Sequence, residues 1–175
     1  MTLDDLGPRI CIMGPSNSRK STLAVAISQA RGLTPIHLDL LFHLPNTDWQ
    51  PRPRDEFIAL HDAALEGANW VMEGNYSWCL PQRLTRATGL ILLDASTPAS
   101  LMRYVRRSWF ERARLGSLEG GQDSVKWDML RHITITTRAN RRRYKEMFDR
   151  ISLPQIKLST SSEFARFYRT EGLHR

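Results

Sequence analysis

Between Gly14 and Thr22 the chain reads Gly-Pro-Ser-Asn-Ser-Arg-Lys-Ser-Thr. This is the pattern G-x-x-x-x-G-K-[ST] with arginine in place of the second glycine. Such a segment works as a phosphate-binding loop only between a strand and a helix, so it constrains its surroundings to an α/β arrangement. Both neighbours are predicted. Ile10-Cys11-Ile12-Met13 is an apolar run suited to a buried parallel strand. Leu23, Val25, Ala26 and Ile27 fall on one helical face, and Gly32 is placed to end that helix. In this geometry Gly14, Pro15, Ser16, Asn17, Ser18 and Arg19 turn backbone N–H groups towards a polyphosphate. The helix N-terminus adds its partial positive charge. Lys20 is expected to reach the β- and γ-phosphates and the Ser21 hydroxyl to ligate Mg²⁺, with Thr22 one residue deeper in the helix.

Arg19 is the one departure. Glycine serves at that position because a Cβ crowds the phosphates or strains the backbone. Two outcomes are open: nucleotide binds more weakly or in an altered pose, or the backbone tolerates the side chain and little changes.

The 175 residues suit one domain, 1–175, with room for a three-layer core. No apolar run is long enough to span a bilayer, and the acidic start Met1-Thr2-Leu3-Asp4-Asp5 does not resemble a signal peptide. Two cysteines, Cys11 and Cys79, make no disulfide framework and fit a reducing cytoplasm. No Cys/His cluster has zinc spacing, and the five histidines are scattered. Formal charge is +7, and all of it lies in residues 103–150, where eleven Arg and two Lys face six acids. Arginine outnumbers lysine by 21 to 4. Guanidinium forks suit phosphate clamping. Most of these arginines also fit solvated helix faces, and a basic segment is compatible with nucleic acid as a partner.

Strands and helices alternate along the chain, as in a parallel α/β sheet. Pro35-Ile36-His37-Leu38-Asp39 is a second strand ending in a carboxylate. Residues 44–54 are proline-rich and irregular; a helix over 55–66 follows, ended by Gly67. Trp70-Val71-Met72-Glu73 is the third strand, leading to Gly74-Asn75-Tyr76-Ser77, and a short helix is expected over 81–87. Gly89 to Asp94 is the fourth strand. Thr97 then caps a helix with Pro98 at its first position, running to about Arg112. A glycine-rich break at 116–121 precedes a long basic helix over 124–149. Gln155-Ile156-Lys157-Leu158 is the fifth strand, and Ser161-Ser162-Glu163 opens a last helix. Ligands in such sheets bind beyond the carboxyl ends of the strands, where Asp39, Glu73 and Asp94 are expected. A carboxylate there can hold Mg²⁺ or take a proton from a substrate hydroxyl; Asp94, before Ala95-Ser96-Thr97, also fits a plain capping role.

Read together, HLDLLFH (37–43), PRDEF (53–57), WVMEGNYS (70–77), LLDAS (92–96) and LMRYVRR (101–107) resemble the adenylate-kinase-like branch of P-loop kinases. They are most similar to the small bacterial group of adenylate-kinase-related kinases known as DNA-topology-modulation proteins. The resemblance implies a three-layer P-loop NTPase fold on a five-stranded parallel sheet, ATP–Mg²⁺ at the loop, and an arginine-rich lid over about 107–125. It implies that Arg103 packs on adenine and that Arg107, four residues on, clamps phosphate. Glu73 matches the carboxylate that organises Mg²⁺, where relatives usually carry Asp. Asp39 matches the acid that contacts the acceptor, and Arg54 and Arg83 match positions that grip its charged group. Thr160 falls near the adenine edge. The acceptor-binding excursion, about 40–66, departs from the helical nucleotide-monophosphate domain of adenylate kinases.

The first function expected is therefore an ATP-dependent kinase acting on a small-molecule or nucleotide acceptor. The alternatives are a nucleotide-binding pseudo-kinase impaired by Arg19, and a nucleotide-gated regulator of DNA topology.

Overall fold

The computed structural model describes residues 1–94, 102 and 137–174. Five strands form one sheet: β1 (Arg9–Met13), β2 (Thr34–His37), β3 (Trp70–Glu73), β4 (Gly89–Leu93) and β5 (Gln155–Leu158). Their order is β2-β3-β1-β4-β5, and every pairing is parallel. Parallel strands need crossovers, and helices lie in them: α1 (Lys20–Arg31), α2 (Leu38–Phe42), α3 (Arg54–Leu65), α4 (Leu80–Arg86) and α5 (Thr137–Phe148), with α6 (Ser161–Thr170) following the last strand.

Both faces of the sheet are covered, so the central strands are apolar except at Arg9, which opens β1, and Glu73, which ends β3. Side chains of one strand alternate between two cores. Ile10 and Ile12 of β1, Val71 of β3 and Ile91 and Leu93 of β4 join Leu23, Ala24 and Ile27 of α1 and Phe164, Phe167 and Tyr168 of α6. Cys11 and Met13, Trp70 and Met72, and Leu90 and Leu92 turn the other way, onto Leu38, Phe57, Leu65, Leu80, Tyr144 and Phe148. Pro35, which lacks a ladder donor, sits in the edge strand β2.

Several details differ from the sequence reading. The second strand stops at His37, and Asp39 lies in α2 instead of ending a strand. Leu38 is fully buried, and its packing draws the LDLLF segment into helix. The expected helix over 55–66 begins one residue earlier at Arg54, and its cap is Glu66, ahead of Gly67. The short helix runs from Leu80, with Pro81 in its first turn. On α1 it is Ala24, not Val25, that joins the buried face. The helix expected after Thr97, the 116–121 break and the 107–125 lid lie outside the described residues. Of the basic 124–149 helix, α5 is the described part. No described helix is long and apolar enough to cross a membrane.

His61 of α3 is fully buried, with its Nδ1 2.8 Å from Asp62 Oδ1. Burial pushes its imidazole below the usual histidine range, although the Asp62 carboxylate works the other way. An unfolded histidine titrates near about 6.5. Below that pH the unfolded chain takes up a proton that folded His61 resists. Its contribution is therefore complete above about pH 6.5 and is lost as the pH falls, by at most about 1.4 kcal/mol per pH unit. Urea midpoints measured down through that range should drop in the parent and drop less steeply in His61→Leu.

Candidate active site

The loop after β1 is shaped by close approach. Gly14 has φ 152°, and a Cβ on it would stand 2.5 Å from the Leu93 carbonyl oxygen of β4. Asn17 and Arg19 both take the left-handed conformation, with φ 59° and 72°. Arg19 forms the N-cap of α1 without any side-chain capping bond, so the first N–H groups of the helix keep no side-chain cap. Arginine has thus kept the backbone angles that the pattern reserves for glycine. The left-handed region costs a non-glycine residue about 1–2 kcal/mol.

Lys20 Nζ donates to the carbonyls of Gly14 at 3.1 Å and Pro15 at 3.0 Å, so its ammonium folds back over the loop. One residue on, Ser21 Oγ donates to Glu73 Oε1 at 2.9 Å. The same carboxylate oxygen lies 3.0 Å from His37 Nδ1. Gly14 N–H is 3.4 Å from Asn75 Oδ1, tying the loop to the segment after β3. Glu73 is only 3% exposed. Burial pushes its carboxyl up, but the His37 hydrogen bond, the Lys20 charge and the Ser21 hydroxyl together hold it below the usual carboxylate range. It is therefore a carboxylate at neutral pH. A hydroxyl and one carboxylate at the head of a phosphate loop are hard oxygen donors, the set that suits Mg²⁺ with several retained waters.

Beyond β2 and β3 lies the second half of the site. Exposed Asp39 accepts at Oδ1 from the Tyr76 hydroxyl at 2.7 Å. Burial, then the Asp39 charge, raise the Tyr76 phenol well above the usual range, so Tyr76 stays a donor. Gly74, with φ 133°, lets this segment press against α2; a Cβ there would stand 2.8 Å from Leu38 Cβ. Phe42 packs 5.0 Å from Tyr76 and 5.2 Å from Phe57, and Trp78 lies 5.0 Å from Phe57. Arg54, exposed at the start of α3, holds its guanidinium 4.7 Å over the Trp78 ring. His43 bridges Phe42 and Trp49 at ring distances of 4.9 and 5.1 Å.

Two residues expected to face a ligand make their described hydrogen bonds within the protein. Arg83 is fully buried and does not reach an acceptor. Its guanidinium donates to the carbonyls of Gly74 at 2.8 Å, Asn75 at 2.7 Å and Tyr76 at 3.0 Å. The side chain of α4 points under the 74–76 segment, so Arg83 props the turn that carries Asn75 and Tyr76. Thr160 caps α6: its Oγ1 accepts from Glu163 N–H at 3.2 Å, while Glu163 Oε2 accepts from Thr160 N–H at 3.1 Å. Asp94 is buried and ion-pairs with Lys157 at 3.1 Å. Arg103 and Arg107 lie outside the described residues. His37, Asn75 and Tyr76 were not anticipated as site residues. Their partnerships depend on which strands are neighbours, which the linear order of the chain does not reveal.

No family model matches the sequence, and no curated protein matches it. Solved structures do. A gluconokinase from Sinorhizobium meliloti 1021 is 16% identical over 95% of this chain and 90% of its own, with a TM-score of 0.54. A shikimate kinase from Acinetobacter baumannii, in complex with shikimate, is 14% identical over 96% and 93%, with a TM-score of 0.53. The chain shares its fold, a five-stranded parallel sheet between helices, with these two kinases. Lys20 and Ser21 open α1 directly after the loop that follows β1, and Asp39 lies in α2 just beyond β2.

Two substitutions check this account. Arg19→Gly removes the left-handed strain but frees the unfolded chain, which costs about 0.4–1 kcal/mol. The net gain should be up to about 1 kcal/mol, a rise of roughly 2–4 °C in Tm by calorimetry. Arg83→Leu leaves three carbonyls without their donor and should destabilise by about 3 kcal/mol, with Arg83→Lys recovering part of it in the same melts.

Proposed function

We propose that this chain is an ATP-dependent phosphotransferase that moves the γ-phosphoryl group of ATP to a hydroxyl of a small acceptor bound over the 40–66 excursion. One observation carries the reading: Ser21 and Glu73 meet at 2.9 Å beside a phosphate loop, and Asp39 stands in α2, the helix that directly follows β2. The kinase neighbours support catalysis over the pseudo-kinase and DNA-topology alternatives. The motif likeness to adenylate-kinase-related proteins is the finer form of the same reading. The excursion is built from α2, an irregular link and α3, which favours a small molecule over a nucleotide as acceptor.

Transfer of this kind depends on positioning and charge neutralisation. Lys20 exchanges the Gly14 and Pro15 carbonyls for phosphate oxygens. Ser21 and Glu73 hold Mg²⁺, which supplies charge neutralisation on the phosphates when bound. Asp39 exchanges the Tyr76 hydroxyl for that of the acceptor, orients it and takes its proton. The acceptor oxygen then forms a bond to the γ-phosphorus as the bond to the bridging oxygen breaks, and ADP leaves. Arg54, on its Trp78 platform, is placed to meet an anionic group of the acceptor. Arg103, packed on adenine, and Arg107, a clamp on the phosphates at the start of the 107–125 lid, complete the proposal.

The test is phosphoryl transfer from labelled ATP to a panel of hydroxy acids that includes gluconate and shikimate, together with calorimetry of ATP–Mg²⁺. The parent should bind ATP–Mg²⁺ and label at least one acceptor. Lys20→Ala should lose about 100-fold or more in transfer rate. A Lys20→Ala protein that binds and transfers like the parent shows the site to be misplaced. A parent that binds only after Arg19→Gly supports the impaired-kinase alternative.

A further inference from the structure

We infer that His37 is a positioning residue for the metal-bearing carboxylate: its Nδ1–H fixes Glu73 so that Glu73 does the work of a shorter acid. This rests on the kinase reading above. His37 and Glu73 are the last residues of β2 and β3, and the strand register sets them directly opposite each other. In a parallel pair such residues project to the same side of the sheet. The two side chains meet at 3.0 Å and are 10% and 4% exposed. A carboxylate only accepts, so the proton of this bond sits on His37 Nδ1.

Both donors on Glu73 converge on one oxygen, Oε1. Ser21 Oγ is also the expected metal ligand, and its hydrogen bond to Glu73 is given up when the hydroxyl turns to the cation. His37 remains. A glutamate has one more rotor than an aspartate and loses more freedom when its head is fixed. The outer partner of a metal-binding carboxylate sets its orientation, and removing such partners typically costs about 10–100-fold in metal affinity. His37 also adjoins Leu38 and Asp39, so the same bond ties the metal half of the site to the start of the acceptor half.

The test is calorimetric titration of the full chain with ATP–Mg²⁺, and with ATP in EDTA, for the parent, His37→Ala, His37→Asn and His37→Gln. The Asn amide nitrogen stands where Nδ1 does, whereas that of Gln lies one carbon further out. His37→Ala should weaken ATP–Mg²⁺ binding about 10-fold or more and leave metal-free ATP unchanged. His37→Asn should stay within about threefold of the parent and His37→Gln should follow His37→Ala. Equal ATP–Mg²⁺ affinity in the parent and His37→Ala overturns the inference and leaves the kinase reading standing. So does a matching loss with metal-free ATP in a protein that melts like the parent. If His37→Ala does not fold, the Asn and Gln variants decide: equal affinities overturn the inference. A parent that binds no ATP–Mg²⁺ overturns both readings.

Discussion

A carboxylate that is 3% exposed is stable as an anion only if its surroundings answer it. Glu73 is answered by a histidine from the neighbouring strand, a serine from the first turn of α1 and the nearby charge of Lys20. Two segments far apart in sequence, the start of α1 and the end of β2, are thereby pinned to the end of β3. The loop after β1 and the end of β2 take their relative places from this one side chain and its partners. The same network keeps Glu73 ionised, the state a hard cation requires.

The 74–76 segment has its own anchor. Arg83 brings a buried cation with three carbonyl acceptors beneath it, where an acceptor-gripping arginine had been expected. Such an arrangement suits arginine, whose planar fork can serve several acceptors at once. With that turn held from below, Asn75 reaches the Gly14 amide and Tyr76 reaches Asp39. The two halves of the site are thus joined by backbone geometry as well as by charge.

Much of the fold is legible in the sequence because buried parallel strands write themselves as apolar runs, and glycine and proline mark where helices stop and start. The five strands and the phosphate loop follow from those signals. The misplacements have physical causes. Asp39 falls in a helix because Leu38 packs in the core, a tertiary effect that short-range pattern does not carry. Arg83 and an acceptor-facing arginine look alike in sequence, since only the direction of α4 separates them. The partnership of His37 with Glu73 needs the strand order β2-β3-β1, which a linear reading cannot supply. Arg19 stands out as a departure in sequence, while its left-handed backbone is a fact of the fold alone.

The sheet divides the molecule into two cores that share strands but not side chains. Helix α1 packs on one face with α6, while α2, α3 and α4 pack on the other with α5. Substitutions separated by a sheet, with no shared partners, tend to combine additively. A change confined to one core therefore leaves the packing of the other in place, except at Asn75 and Glu73, which bond across to the loop after β1 and the start of α1. The 74–76 turn is the place where the two cores answer each other, since Asn75 reaches Gly14 and Tyr76 reaches Asp39 from it.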